Sequence, residues 1–170
     1  MSEETATPTP ATLATPATPA LETALGSHPF LHGVSGDGLR RLATCARELS
    51  FPAGAFLLRE GGEADAVHLL TAGRVVLEVQ VPAQGPVRVE MLGAGDIVGI
   101  HWFFPPRRWV LDARCVEPVT SIALDAARLR AMLDEDPVLG YAVTTRLLEQ
   151  LYHRLERVRL QRLDVYGARP

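Results

Sequence analysis

The sequence lacks lysine and asparagine entirely, and it carries little net charge. All 17 basic residues are arginine, set against 20 acidic residues, which gives a formal net charge of −3. Nucleic-acid binding relies on clustered positive charge, so this balance gives no general attraction to phosphate. Any interaction with DNA would therefore need a local basic patch.

Cysteine and long apolar runs are scarce as well. The two cysteines, Cys45 and Cys115, lie far apart without a CxxC or Cys/His pairing, which argues against a disulfide framework and a zinc site. No apolar run reaches the roughly 18 to 20 residues that cross a bilayer, and the N-terminus lacks the order of a secretion signal. We therefore expect a cytoplasmic protein with no membrane partner.

Motifs of catalysis and metal binding are also missing. The chain has no GxSxG, P-loop or HExxH motif, and its five histidines form no HxH pair. His101, beside Trp102, is a lone histidine and therefore a weak basis for a haem or metal ligand. We expect a protein without enzymatic activity, without a bound metal and without a cofactor that the sequence identifies.

What the chain does contain divides into a tail, a β-rich domain and a long helix. Residues 1–24 are mostly Ala, Thr and Pro, a composition that predicts a disordered tail. Residues 25–136 form the domain, and from residue 49 short apolar runs alternate with glycine-bearing turns, as is typical of a small β-barrel or sandwich. A last strand is predicted over residues 109–124. Short helices are predicted after Ser35 and over residues 126–134.

A long C-terminal helix is predicted over residues 137–166, with Pro137 in its first turn. An apolar stripe at 3-4-3 spacing runs among its charged neighbours and consists of Leu148, Leu151, Leu155 and Val158. Such a stripe packs either on the domain's own barrel or on the same helix of a second copy. We favour the second arrangement, which predicts a homodimer with these four residues at its interface.

The glycine turns and the order of elements resemble the cyclic-nucleotide-binding domain of the Crp/Fnr (catabolite activator) superfamily. The run FPAGAFLLREGGEADAVHLLTAGRVVLEV, residues 51–79, is similar to the family's opening segment, and LGAGDIVG is similar to the run before its phosphate-binding cassette. The resemblance implies an α+β fold that is mainly β. This fold is a double-stranded β-helix, or jelly-roll β-roll, flanked by a short N-terminal helix and a long C-terminal helix.

The segment after the long helix also bears on function. LDVYG at residues 163–167 resembles the family's junction to a helix-turn-helix DNA-binding domain, but this chain ends at Pro170. We therefore expect a stand-alone domain without direct DNA binding. Transcription regulation would then require a DNA-binding subunit supplied in trans.

The stretch GDIVGIHWFFPPRRWVLDARC, residues 95–115, corresponds to the cassette and departs from the family's pattern. In nucleotide-binding members an arginine holds the cyclic phosphate, and a glutamate after the glycine binds the ribose hydroxyl. Here Gly99 is followed by Ile100, and Trp109 stands where the arginine is expected. Losing two charged contacts would weaken cyclic AMP binding roughly 10² to 10⁴-fold, so a cyclic nucleotide is a disfavoured ligand.

Two questions about the cassette stay open at this point. A shift of the loop by one residue would let Arg108 reach the phosphate. The aromatic residues either fill the core or form the walls of a pocket for a flatter, more hydrophobic ligand. The predicted ligand-binding residues are Gly99, Ile100, His101, Arg107, Arg108, Trp109 and Val110 of the cassette, with Arg154 of the long helix.

The resemblance implies a ligand-sensing regulatory domain. Occupancy of the barrel would re-orient the cassette against the long helix and pass a signal to a protein partner, with both the small-molecule ligand and the partner unidentified. The alternative is a ligand-free interaction or scaffold module whose barrel is filled by its own aromatic side chains.

Overall fold

Short strands joined by glycine turns make up most of the chain between Ala46 and Asp125. The structure is a computed structural model that describes residues 12–14 and 18–167. Its strands are β1 (Thr12–Ala14), β2 (Ala46–Phe51), β3 (Phe56–Leu58), β4 (Ala66–Ala72), β5 (Val75–Val81), β6 (Gly85–Leu92), β7 (Ile97–Val98), β8 (Asp112–Cys115) and β9 (Val119–Asp125). Its helices are α1 (Thr18–Ser27), α2 (Gly36–Ala43), α3 (Ala126–Glu135) and α4 (Pro137–Gly167), with 3-10 turns at Pro29–Leu31 and Ile100–Trp102.

The strands form two antiparallel sheets. One sheet has the order β1-β2-β9-β4-β7, and the other has the order β3-β8-β5-β6. Consecutive strands often belong to different sheets, as a jelly-roll connection requires. The predicted fold class is therefore confirmed: the chain is mainly an antiparallel β-sandwich with short helices before it and a long helix after it.

The core lies between the sheets and extends under the helices. β9 is the central strand of the first sheet, where Ile122 pairs with Leu69 of β4 and both side chains are fully buried. Leu25 of α1 and Leu129 of α3 belong to the same buried cluster. Burying each of these side chains contributes about 1.5 to 3 kcal/mol, so the helices are held by the same apolar burial that joins the sheets.

The helix starts follow from capping side chains in the sequence. Ser35 caps α2 by accepting a hydrogen bond from the N–H of Gly38 at 3.1 Å, and Asp125 caps α3 by accepting from Arg128 at 2.8 Å. Asp136 accepts from both Val138 and Leu139, and Pro137 occupies the first position of α4. Each cap stabilises its helix by about 1 kcal/mol. The predicted helices at residues 126–134 and 137–166 are confirmed.

The predicted disordered tail is wrong for residues 18–24. These residues belong to α1, because Leu21 and Leu25 lie four positions apart on one helix face and are both buried in the core. Residues 12–14 also depart from the prediction, since β1 pairs with β2. The rest of the predicted tail, residues 1–11 and 15–17, lies outside the described residues.

The single strand predicted over residues 109–124 is wrong as well. The chain forms two strands there, β8 in one sheet and β9 in the other, separated at Val116–Pro118. Proline has no N–H to donate and interrupts a ladder. The carbonyl of Pro118 lies against Gly73, where an added Cβ would be only 2.2 Å from that oxygen. The two turns thus pack together, and the strand changes sheet between them.

Helix α4 has two apolar faces. Leu139, Val143 and Leu147 recur every four residues and are buried in the core, and Leu151 packs against that core. An outer face is exposed and consists of Val138, Tyr141, Leu148, Tyr152 and Leu155. None of the described helices is long and apolar enough to cross a membrane.

The predicted stripe therefore does not form one face. Leu148 and Leu155 lie on the outer face, whereas Leu151 faces the domain, and the side chain of Val158 is not among those described. The physical reason is that α4 packs on the domain through residues at a spacing of four, which turns Leu151 inward.

His68 makes the stability of the fold depend on pH. Burial first, and then the positive charge of Arg47, lowers the pKa of His68 from 6.5 to about 4. Between pH 6.5 and 4 the unfolded chain therefore binds the extra proton, and stability falls as the pH falls. We predict that the free energy of unfolding lost between pH 7 and 4.5 is roughly 2 to 3 kcal/mol smaller in His68→Gln than in the wild-type chain. Urea unfolding at each pH measures this difference.

A second buried histidine checks this assignment. His28, which is also buried and also has a lowered pKa, should account for part of the slope that remains in the His68 variant. Equal slopes for wild type and His68→Gln would contradict the assignment.

Candidate functional site

The cassette begins with a backbone conformation that favours glycine. β7 ends at Val98, and Gly99 adopts φ 95° before the 3-10 turn Ile100–Trp102. A Cβ at Gly99 would lie 2.8 Å from Cη2 of Trp109 and 3.3 Å from the carbonyl oxygen of Ala66. Carbon atoms pack at about 3.5 to 4.0 Å, so both the left-handed backbone and the approach of the indole require glycine here.

Trp109 is fixed by its backbone and by its side chain. Its N–H donates to the carbonyl of Gly62 at 2.9 Å, and its carbonyl accepts from the N–H of Gly61 at 2.8 Å. The side chain is buried, and a Cβ at Gly62 would lie 3.2 Å from its Cδ1. One edge of the indole therefore contacts Gly62 and the far edge contacts Gly99. The position at which the resemblance expects a phosphate-binding arginine is filled by a rigidly held aromatic ring.

The two cassette arginines lie on the surface. Arg107 is exposed with φ 56°, its N–H donates to the carbonyl of Phe104, and its carbonyl accepts from Ala64. Arg108 is exposed, and its Nη1 donates to the carbonyl of Gly61 at 2.8 Å. Neither contact brings a guanidinium to Gly99. The loop shift that would let Arg108 replace the missing arginine is not present in this structure.

Other predicted residues divide between the interior and the surface. Ile100 is partly buried and packs against the core, whereas Val110 is half exposed. His101 is partly buried and meets Trp109 edge to face, with 6.5 Å between the ring centroids. Burial first, and then the positive charge of Arg154, lowers the pKa of His101. The structure thus brings Gly99, Ile100, His101 and Trp109 together, places Arg154 on Glu90 of β6, and leaves Arg107, Arg108 and Val110 exposed.

The aromatic residues of the cassette play two different roles. Trp102 is completely buried, as the core interpretation expects, and its Nε1 has no hydrogen-bond acceptor. Its carbonyl accepts from Arg130 of α3 at 2.7 Å, which ties the cassette to that helix. Phe103 packs against the core, but Phe104 is 45% exposed. The core interpretation therefore holds for Trp102, Phe103 and Trp109 and fails for Phe104.

Sequence reasoning missed Glu90 of β6. Its backbone pairs with Leu77 of β5, so the two side chains lie on the same face of the sheet, and Leu77 belongs to the core between the sheets. Glu90 Oε2 accepts from Nε and Nη2 of Arg154 at 3.0 and 2.6 Å, and Oε1 accepts from Nη2 of Arg157 at 3.1 Å. The available signal was a single acidic residue between Val89 and Met91 in an otherwise apolar strand end.

Two further features of the described residues delimit the site. No group of three or more metal-ligating side chains occurs among them. A groove of about 280 Å³ lies between α1 and the end of β4 and is lined by Ala24, Ser27, His28, Pro29, Leu70, Thr71 and Gly95. Its histidine is already engaged, because His28 contacts the carbonyl of Leu70 and accepts from Phe30. None of the cassette residues predicted to bind a ligand lines this groove.

Comparisons with known proteins agree with the fold described above. The family model for the cyclic nucleotide-binding domain matches residues 48–136, slightly more than half of the chain. A protein from Geobacter metallireducens GS-15, named for cyclic nucleotide binding, is 26% identical with a TM-score of 0.72, over 79% of this chain and 97% of that one. None of the curated protein sequences matches this chain significantly.

Two further solved structures share the fold. A cyclic nucleotide-binding domain from Methylobacillus flagellatus KT is 23% identical with a TM-score of 0.77, over 90% of this chain and 88% of that one. The sensor domain of the transcriptional regulator DNR from Pseudomonas aeruginosa is 20% identical with a TM-score of 0.66, over 82% of this chain and 93% of that one. The resemblance to the cyclic nucleotide-binding domain is therefore confirmed.

The contact between Gly99 and Trp109 can be measured with two alanine substitutions. Gly54 has φ 83° and open space around an added Cβ, so Gly54→Ala adds only backbone strain of about 1 to 2 kcal/mol. Gly99→Ala adds the same strain and also drives a methyl group into the indole. We predict that it lowers the free energy of unfolding by about 1 to 3 kcal/mol more than Gly54→Ala does, measured by urea titration. Equal effects would show that the indole does not press on Gly99.

Proposed function

The chain belongs to the cyclic nucleotide-binding domain family, and from that we propose that it is a non-enzymatic regulatory domain whose pocket no longer holds a cyclic phosphate. It senses a different small molecule, and α4 transmits the signal to a protein partner. Support for this proposal comes from the cassette, from the charges around it and from the outer face of α4.

Trp109 is the observation that carries the proposal. A cyclic phosphate needs free space at the cassette and a positive charge that faces it. The indole of Trp109 covers Gly99, and the guanidinium of Arg108 is bonded to a carbonyl on the surface. Ile100 supplies no carboxylate for a ribose hydroxyl. Each lost hydrogen bond to a charged group costs about 1.5 to 3 kcal/mol, so the two losses together remove useful affinity.

The groups near Trp109 favour a ligand without a phosphate. His101 has a lowered pKa and is therefore neutral near pH 7, and it lies edge to face against the indole. Arg154 is the cation whose charge acts on His101, and it is already matched by Glu90. A flat, uncharged molecule that stacks against aromatic surfaces suits these walls better than a dianionic or monoanionic nucleotide.

A second candidate function is a ligand-free interaction module. The support for it is that a side chain of the chain itself, Trp109, packs against Gly99 at the start of the cassette. Tryptophan fluorescence during a screen of nucleobases and lipophilic metabolites separates the two functions, because Trp109 adjoins the cassette. A ligand that changes the emission in a saturable way favours the sensor, and native mass spectrometry of the purified protein reports any retained molecule.

We predict that cyclic AMP does not bind at micromolar concentration. In isothermal titration, additions up to about 100 μM should give no saturable heat, because the charged contacts are missing. Trp109→Ala is the matched variant: it removes the indole without adding a cation, so it should open the cassette and still leave cyclic AMP unbound. Saturable binding to the wild-type chain tighter than about 10 μM would refute the proposal.

We also propose that a second copy of the chain covers the outer face of α4. Val138, Tyr141, Leu148, Tyr152 and Leu155 are exposed, and steps of three and four through Thr145 connect them, which is the repeat of a two-helix seam. The exposed carboxylates of Glu149 and Glu156, which directly follow Leu148 and Leu155, flank this face, as charged residues do at the edges of coiled coils. The predicted interface thus keeps Leu148 and Leu155 and exchanges Leu151 for Tyr152.

The dimer is tested by one charge placed on the outer face. Sedimentation of the wild-type chain should give about twice 18.5 kDa, and Leu148→Glu should give the monomer mass, because burying a carboxylate in an apolar seam is costly. Val116→Glu is the control, since Val116 is also an exposed apolar residue but lies in the turn between β8 and β9. A wild-type mass of 18.5 kDa at high micromolar concentration would end the dimer proposal.

A further inference from the structure

Glu90 is one of three carboxylates of the roll, with Glu78 and Asp112, whose side chains are almost completely buried, and it is the one of the three that pairs with α4. A register shift in the pairing of β5 with β6 falls between Leu77 and Glu78, where Val89 has no partner. Such bulges re-aim side chains, and here the next residue, Glu90, shares a face with Leu77 and Leu92. The Glu90 side chain is only 10% exposed. An acidic group this deeply placed needs partners, because unpaired buried charge is strongly unfavourable.

Its partners come from the far half of α4. Arg154 donates two hydrogen bonds to Glu90 and is itself only 15% exposed, and Arg157 donates a third. Arg157 also reaches Asp96 in the turn before β7, with 3.4 Å between Nη1 and Oδ1. We call Glu90, Asp96, Arg154 and Arg157 the Glu90 cluster. It differs from the exposed pair of Arg74 and Glu117, which lies on the surface of the roll.

The Glu90 cluster lies where the apolar contacts of α4 end. Leu139, Val143 and Leu147 are buried, and Leu151 is the last apolar residue of the helix that packs against the core. Among residues 152–157, Arg154 is the one whose side chain is not exposed. Beyond Leu151, the described contacts that hold α4 on the roll are therefore ionic.

We propose that Glu90 and Asp96 form a docking site on the roll for Arg154 and Arg157, and that the resulting Glu90 cluster keeps the second half of α4 closed on the roll without any ligand. This inference rests on the proposed function, because α4 is there the element that transmits the signal. A group that binds Glu90 or Arg154 would release the helix end. An isolated surface ion pair contributes little to stability, whereas removing one partner of a buried pair leaves an uncompensated charge. The cluster is therefore either formed or lost as a whole, which makes it a two-state contact.

The cluster also reaches the turn that leads into the cassette, because Arg157 pairs with Asp96, three residues before Gly99. The charge of Arg154 helps to lower the pKa of His101, which contacts Trp109 edge to face. A molecule that moves the start of the cassette would therefore disturb the cluster through Asp96.

Hydrogen exchange of the helix amides tests the inference. In Glu90→Gln, amides of residues 152–157 should exchange at least tenfold faster than in wild type, while amides of β4 and β9 change much less. Glu117→Gln makes the same chemical change in the exposed pair with Arg74 and should leave the helix amides unaffected. Equal helix exchange in the Glu90 and Glu117 variants would overturn the proposal.

A charge exchange keeps the test decisive if Glu90→Gln is poorly folded. The double variant Glu90→Arg with Arg154→Glu restores an ion pair with reversed polarity. Its helix amides should exchange within about threefold of the wild-type rate. Failure of the double variant to slow exchange below both single variants would refute the cluster's role. Repeating the measurement in the Leu148→Glu background needs neither ligand nor dimer, so its outcome is separate from that of the proposed function.

Discussion

The indole of Trp109, wedged between two glycines, is the contact on which the rest of this molecule depends. Gly62 and Gly99 have no side chains, so the ring can bridge the turn after β3 and the start of the cassette. Two backbone hydrogen bonds to the Gly61-Gly62 turn fix the ring in place. We propose that the same ring occupies the place where a cyclic phosphate would need space and charge. In this proposal the residue that packs the cassette is also the residue that excludes the phosphate.

The second constraint is the attachment of α4. Its first half is held by apolar burial, which is a non-directional interaction and depends little on a ligand. Its second half is held by arginines on Glu90, a contact that is either formed with good geometry or lost. A helix held in these two ways is rigid near Pro137 and releasable beyond Leu151. That division suits an element that transmits a change from the cassette to a partner while the roll keeps its fold.

Local patterns in the sequence predicted much of this structure. The glycine turns, the period-two runs and the capping residues before α2, α3 and α4 are short-range signals, and the fold class follows from them together with the family resemblance.

The errors arose where residues distant in the sequence decide what a side chain contacts. Leu21 and Leu25 make α1 a packed helix despite its Ala, Thr and Pro neighbours, because the burial is supplied by distant strands. Leu151 points inward for the same reason, since the packing angle of α4 is not written in its own spacing. Glu90 was missed because a bulge and a helix far along the chain decide what it faces. Within the cassette, the sequence showed Trp109 at the position where the resemblance expects a cation, but the placement of Arg107 and Arg108 depends on contacts with residues 61–64.

The most direct test of the central claim is a crystal structure of the chain grown with millimolar cyclic AMP. The account predicts that Trp109 remains in contact with Gly99 and that no nucleotide lies beside the cassette. A nucleotide with its phosphate on the cassette N–H groups, Trp109 displaced and the guanidinium of Arg107 or Arg108 turned inward would contradict it.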